Sequence, residues 1–294
     1  MKTKNIARIM VMVFMLTCLA GCGNSKTDEN AKTEDNNQTN SMEYSNLVDL
    51  KTQEEVKEKL IAAGIPQDSA DIYMDWAQDF NSRVGDVKAF KDGFTKADLA
   101  EIDYQDVFLE QRELENGDLQ MDPNCRMTGF LLMKDMITVG SKIEQYDNYL
   151  MFDMEAIEND PRYEVLKKQK DKFVTLLNPI EVTEGSTYDE HVEKIQEEWE
   201  KRGIEFEEND KISFITLFVH DNYENKRFVG HVGVLLQEDE GVLFVEKIAS
   251  DEPYQTTKFA SEEDLVKYLL SRADLYGDGT EEKPIIMKNK TVIS

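Results

Sequence analysis

From Ile212 onward the apolar residues change period, and that change limits the fold more than any other feature of the chain. Ile212-Ser-Phe-Ile-Thr-Leu-Phe-Val219 is β-branched and aromatic and reads as a strand. Phe228 to Gln237 reads as a second strand, Glu238-Asp-Glu-Gly241 as a turn, and Val242 to Ala249 as a third strand. If Glu238 to Gly241 is a four-residue loop, Gln237 pairs with Val242 and His231 with Ile248. Glu246 then lies diagonally from His231 on the same face, and a one-residue change in the loop would turn it to the other face.

Upstream the pattern is helical. Thr52 is placed to cap a helix with Glu55 in the capping-box position; Val56, Leu60 and Ile61 form its stripe and Gly64 ends it. A second helix opens at Asp68 and runs to about Val84, with Ile72, Trp76 and Phe80 at four-residue spacing on a core-facing stripe. Ala97 to Leu109 reads as a short helix, and Phe130 to Val139 as an apolar, buried stretch. Tyr163 to Leu177 and Asp189 to Lys201 read as further helices. Beyond the strands, Glu262 to Leu270 reads as a helix and Pro284 to Lys288 as an edge strand. The expected fold class is α+β, a helical N-terminal half packed on a C-terminal antiparallel sheet, in one domain over residues 43–294.

Residues 1–21 have another character. Lys2, Lys4 and Arg8 precede an apolar run from Ile9 to Ala20, too short for a permanent span of about 20 residues but suited to a signal peptide. The run ends in Leu19-Ala20-Gly21-Cys22, small residues that fit the narrow site of a processing peptidase. This resembles the lipobox of bacterial lipoproteins. The resemblance implies cleavage before Cys22, lipidation of that cysteine and an extracytoplasmic, membrane-anchored chain. Residues 22–42 are polar and too poor in apolar surface to repay ordering, so they read as a disordered tether.

The formal net charge is −26, and −29 once Lys2, Lys4 and Arg8 are removed. That disfavours nucleic acid as a partner and leaves the anchor, not charge attraction, to hold the chain at an anionic membrane. The cysteines are Cys18, Cys22 and Cys125. With Cys18 in the signal and Cys22 carrying lipid, Cys125 has no partner for a disulfide, so it is either buried and inert or used for its chemistry. No zinc spacing, phosphate loop or dinucleotide fingerprint is present, and no cofactor is expected. Asp274-Leu-Tyr-Gly-Asp278-Gly-Thr lacks full calcium-loop spacing and reads as a surface turn.

Pro123 and Asn124 break regular structure directly before an apolar, helical stretch, which sets Cys125 at or beside a helix N-terminus. The dipole and unpaired amides there stabilise a thiolate, and the same amides stabilise an oxyanion. Arg126 either adds positive potential or pairs with Asp122. The candidate bases are His191, His220 and His231. His191 lies in a charged helix pattern and is expected to face solvent; His220 ends a strand. His231 stands between Gly230 and Gly233 on a strand, either exposed to a ligand's approach or packed in a crowded sheet. Glu246 either orients the His231 ring, by accepting its Nδ1 proton, or pairs with a basic residue such as Lys247 or faces water.

A cysteine opening a helix, a later histidine on a strand and a polar residue on the next strand resemble the NlpC-type papain-like peptidases and amidases. Asn124-Cys125-Arg126-Met127-Thr128-Gly129-Phe130 is similar to their nucleophile turn, and His231-Val232-Gly233-Val234 to their histidine strand. The resemblance implies Cys125 as nucleophile, His231 as base, Glu246 as orienting group and a cell-wall peptide or amide as substrate. Arg126 replaces the serine common after the nucleophile, and the long separation of Cys125 and His231 requires a helical insertion. Tyr44-Ser45-Asn46-Leu47-Val48-Asp49 and Gly230-His231-Val232-Gly233-Val234 also resemble a domain-of-unknown-function family of bacterial lipoproteins, domain of unknown function 4300. The alternatives are a non-catalytic binding or interaction lipoprotein on the same fold, and a solute-binding lipoprotein. The chain is short for the latter's two lobes and lacks alternating βα units.

Overall fold

The structure, a computed structural model, describes residues 41–98, 102–114, 117, 119–272, 275 and 282–294. The signal segment, Cys22, the tether up to residue 40 and most of the Asp274–Thr280 turn lie outside the described residues. Strand β1 (Ser41–Ser45) takes up the last two positions expected of the tether, and Met42 is buried. Helices α1 (Leu50–Ala62) and α2 (Gln67–Arg83) follow. Asp49, not Thr52, caps α1: its carboxylate accepts the Thr52 amide at 2.9 Å.

The described residues of the Ala97 to Leu109 stretch are not the expected helix. Thr95–Asp98 form strand β2, paired with β1, and the described residues after it run through turns. The Asp103 carboxylate accepts the amide of Gln105, one of the short side-chain-to-backbone bonds that compete with a helix. Next come α3 (Cys125–Met133), β3 (Ile137–Thr138), α4 (Met151–Asn159), α5 (Glu164–Lys167), α6 (Lys170–Leu177), β4 (Ile180–Glu181), α7 (Tyr188–Lys201) and β5 (Glu205–Phe206). The expected helix from Tyr163 is thus divided into short pieces, while α7 starts from a full capping box at Thr187 and Glu190.

The C-terminal part contains β6 (Ile212–Asp221), β7 (Lys226–Gln237), β8 (Val242–Lys247), β9 (Tyr254–Phe259), α8 (Glu262–Ser271), β10 (Ile285–Lys288) and β11 (Thr291–Val292). The large sheet runs β11-β10-β6-β7-β8-β9-β1-β2, with β4 paired to the start of β7, and its pairings are antiparallel. The fold is α+β. Strand β10 is bonded on both sides, so β11 rather than Pro284–Lys288 forms that edge.

Both faces of the central strands are covered. Val232, Val234 and Leu236 of β7 join the larger core with α2, α3, α6 and α7. Leu235, with Val242 and Phe244 of β8, joins a second core under Leu265 and Leu269 of α8. By the two-residue alternation, His231 and Glu246 belong to the α8 face. Gly241, at φ +80°, closes the β7–β8 turn with Gln237 opposite Val242. Gly129 lets α3 lie close on β7, where a methyl group would press on Val232 and Phe214.

Candidate functional site

Asn124 caps α3 by accepting the Met127 amide at 3.1 Å, and Cys125 is the first residue of the helix. The Thr128 amide goes to the Asn124 carbonyl at 3.1 Å, while the amides of Cys125 and Arg126 have no carbonyl of an earlier turn to reach. The cap is itself held: Asn124 Nδ2 donates to Asp153 Oδ1 at 2.8 Å. Arg126 donates to both oxygens of the fully buried Asp153, at 3.0 and 2.6 Å, and to the Val229 carbonyl at 3.1 Å. Asp122 pairs with Arg83 instead, so the expected alternative of an Arg126–Asp122 link is not made.

On β7 the register with β6 slips between Leu217 and Phe218, leaving Gly230 as the extra residue beside His231. At this bulge the Cys125 thiol lies 3.9 Å from the Gly230 carbonyl. Glu246 pairs with Gly233, diagonal to His231, as the four-residue loop requires. Its Oε2 is 2.6 Å from Nε2 of His231. The contact is through Nε2, not the expected Nδ1; Nδ1 has no directed hydrogen bond among the described residues. The thiol is a further neighbour of the ring: Cys125 and His231 are close enough for the charge of each to act on the other.

The three side chains are almost wholly buried, at 6% exposure for Cys125, 1% for His231 and 2% for Glu246. Burial pushes the Cys125 thiol up, but the charge and hydrogen bond of His231, with Arg126, bring it below its ordinary value. Burial and Arg272 push the imidazole down, yet Cys125 and Glu246 raise it above its ordinary value. Both directions favour a thiolate–imidazolium pair, which titrates as a unit. Burial pushes the Glu246 carboxyl up, and the hydrogen bond from His231 and the charge of Arg272 outweigh it.

Glu246 has partners that sequence reasoning missed. Arg272 donates to Oε2 at 2.9 Å and the Tyr268 hydroxyl to Oε1 at 2.7 Å, with Gln255 at 3.5 Å. Tyr268 and Arg272 are four residues apart at the end of α8, a spacing that puts them on one helix face. Gln255 stands opposite Glu246 across β8 and β9. Behind it, Tyr104 donates to Gln255 at 2.6 Å and Asn46 to Tyr104 at 2.8 Å.

The other histidines lie elsewhere. His191, expected to face solvent, is 1% exposed, and its Nδ1 accepts from Arg227 at 3.0 Å. Its ring is 4.8 Å from that of His220, which stands half-buried near the end of β6, paired with Arg227 across the ladder. Beside the first turn of α3 is a cleft of about 490 Å³, reached by Asn124, Arg126 and Met127, with Leu119 and Phe152 as apolar wall and Ser250 and Asp251 opposite. Among the described residues no group of acidic, histidine and cysteine side chains is placed to hold a metal ion, and no helix is long and apolar enough to cross a membrane.

A family model described as a domain of unknown function, DUF4300, matches residues 43–293. The chain belongs to that family. No curated protein and no solved structure matches it.

Proposed function

We propose that the chain is a lipoprotein anchored through Cys22 on the outer side of a membrane, and that its folded part is a papain-like, NlpC-type cysteine hydrolase of peptide or amide bonds in the cell envelope. The observation that carries this reading is the grouping of Cys125, His231 and Glu246: a helix-terminal thiol beside an imidazole whose Nε2 is bonded to a carboxylate.

The chemistry follows from the placement. The Cys125 thiolate attacks the substrate carbonyl, and the oxygen gathers charge near the free amides of the α3 N-terminus. The tetrahedral adduct collapses as the imidazolium of His231 protonates the leaving amine, and a thioester remains on Sγ. Water, deprotonated by His231, then releases the acid and restores the thiol. Glu246 holds Nε2–H throughout, so Nδ1 faces the reaction. The adjoining cleft is the natural place for the acyl part of the substrate.

The test is the rate of Cys125 alkylation by iodoacetamide against pH, with Cys18 and Cys22 replaced by serine. A rate limb below that of an ordinary thiol, moved upward in His231→Gln and unmoved in His220→Gln, supports the reading. An ordinary or absent reaction in the folded protein rejects it. The slight exposure of Cys125 favours the second reading, a non-catalytic interaction lipoprotein on the same fold, and that second outcome is what it requires.

A further inference from the structure

We propose that Arg272 is a positioning residue: by neutralising Glu246 it leaves the positive charge of His231 to Cys125. The inference rests on reading Cys125 and His231 as nucleophile and base.

Arg272 caps the C-terminal end of α8, one turn beyond Tyr268. Its Nη1 lies 2.9 Å from Glu246 Oε2 and 3.4 Å from His231 Nε2, so guanidinium and imidazole approach the same carboxylate oxygen. The charged and titratable groups around the ring and the thiol come from four elements: Cys125 and Arg126 from α3, Asp153 from α4, Glu246 from β8, and Arg272 from α8. Tyr268 bonds the Glu246 carboxylate, and Tyr73 of α2 donates to the Glu246 carbonyl at 3.2 Å.

The charge count gives Arg272 its role. The thiolate, imidazolium, Glu246 carboxylate and Arg272 guanidinium are two anions and two cations, Arg126 beside them is matched by Asp153, and buried charges persist when each is matched. Without Arg272 the cluster would hold two anions and one cation. The imidazolium is then retained by Glu246 at 2.6 Å, and the thiol keeps its proton. The effect on the two titrations is therefore specific. Arg272 opposes protonation of His231 and of Glu246 alike, so its loss raises the His231 titration. It raises the Cys125 titration as well, because an extra uncompensated anion now faces the thiolate.

The experiment uses the full chain with C18S and C22S, labelled with ¹⁵N-histidine. With three histidines in the sequence the ring signals are assigned by H191Q and H220Q. His231 is titrated by NMR and Cys125 by its alkylation rate, in wild type, R272Q, R272M and R272K. Met keeps the apolar stem in place if Gln does not fold. Both titrations should move up by about one pH unit in R272Q or R272M, the size a neighbouring charge produces, and return toward wild type in R272K. At a pH below the rate limb, alkylation should fall about tenfold. Unmoved titrations in the folded variant, or R272K matching R272M, would overturn the proposal while leaving His231-dependent reactivity intact. A thiol that is ordinary in wild type sinks the hydrolase reading instead, and the His231 titration still reports on Arg272. Loss of thermal stability alone, with neither titration moved, assigns Arg272 to packing.

Discussion

Gly129→Ala tests whether the contact of α3 with β7 sets the distance from thiol to imidazole. Gly129 follows Cys125 by four residues, so both lie on the helix stripe that meets β7. An added Cβ would stand 3.3 Å from Phe214 Cε2 and 3.4 Å from Val232 Cβ, and closer still to Val232 Cγ1. Carbon contacts settle at about 3.5–4.0 Å, so the helix or Val232 must give by about 1 Å. Overpacking of this kind costs about 1–3 kcal/mol. The gain in helix propensity from glycine to alanine offsets about 1 kcal/mol. The net loss of about 0–2 kcal/mol lowers the Tm by less than about 8 °C for a domain of this size. Reactivity should fall further than stability. A thiol withdrawn from His231 loses the charge that holds its titration down and rises toward its ordinary value, or above it when buried, and its alkylation at neutral pH slows about tenfold or more. Iodoacetamide rates and thermal midpoints measure both quantities. Val232→Ala in the same chain should restore the rate without restoring the midpoint. A Gly129→Ala protein that alkylates at the wild-type rate refutes the argument, whatever its Tm.

Glu246→Gln should slow alkylation in the same direction as His231→Gln but less, because the amide still holds the ring and lacks only charge; an effect larger than that of His231→Gln would make Glu246 the primary base. His191 is held neutral in the fold by burial and by Arg227, its pKa lowered from 6.5 to about 4. The unfolded chain therefore binds the proton first, so stability falls as pH drops from about 6.5 toward 4 and levels below that. His191→Gln keeps an acceptor for Arg227 and should flatten the Tm profile in that window, measured by calorimetry at several pH values. Cys22→Ala should abolish incorporation of radiolabelled palmitate and membrane retention; undiminished labelling would disprove the anchor.

The C-terminal strands were legible because their signal is local. Branched and aromatic residues mark the strands, and one short turn sets the relation of His231 to Glu246. The α3 start was legible for the same reason, since Pro123 and Asn124 stop one conformation where another begins. What escaped depends on partners far along the chain. His191 sits among charged residues in sequence, but α7 turns it inward onto Arg227, 36 residues away. Arg126 has an acid four residues before it and uses Asp153 instead. Arg272 and Tyr268 read as an ordinary helix end until α8 is laid over β8. Thr95–Asp98 is a strand only because β1 lies beside it, and no local pattern announces that pairing.

Strand β7, which carries His231, is bonded to β6 along one side, to β8 along the other and to β4 at its start. Opening it would break several ladders at once, so its amides should exchange among the slowest in the molecule. The imidazole is thus fixed to the stiffest part of the sheet and is held there again by Glu246. A second molecule that reaches Cys125 is expected to enter from the cleft side, between residues 119–122 and Ser250–Asp251. Relaxation measurements should find millisecond motion on that side while β7 stays silent.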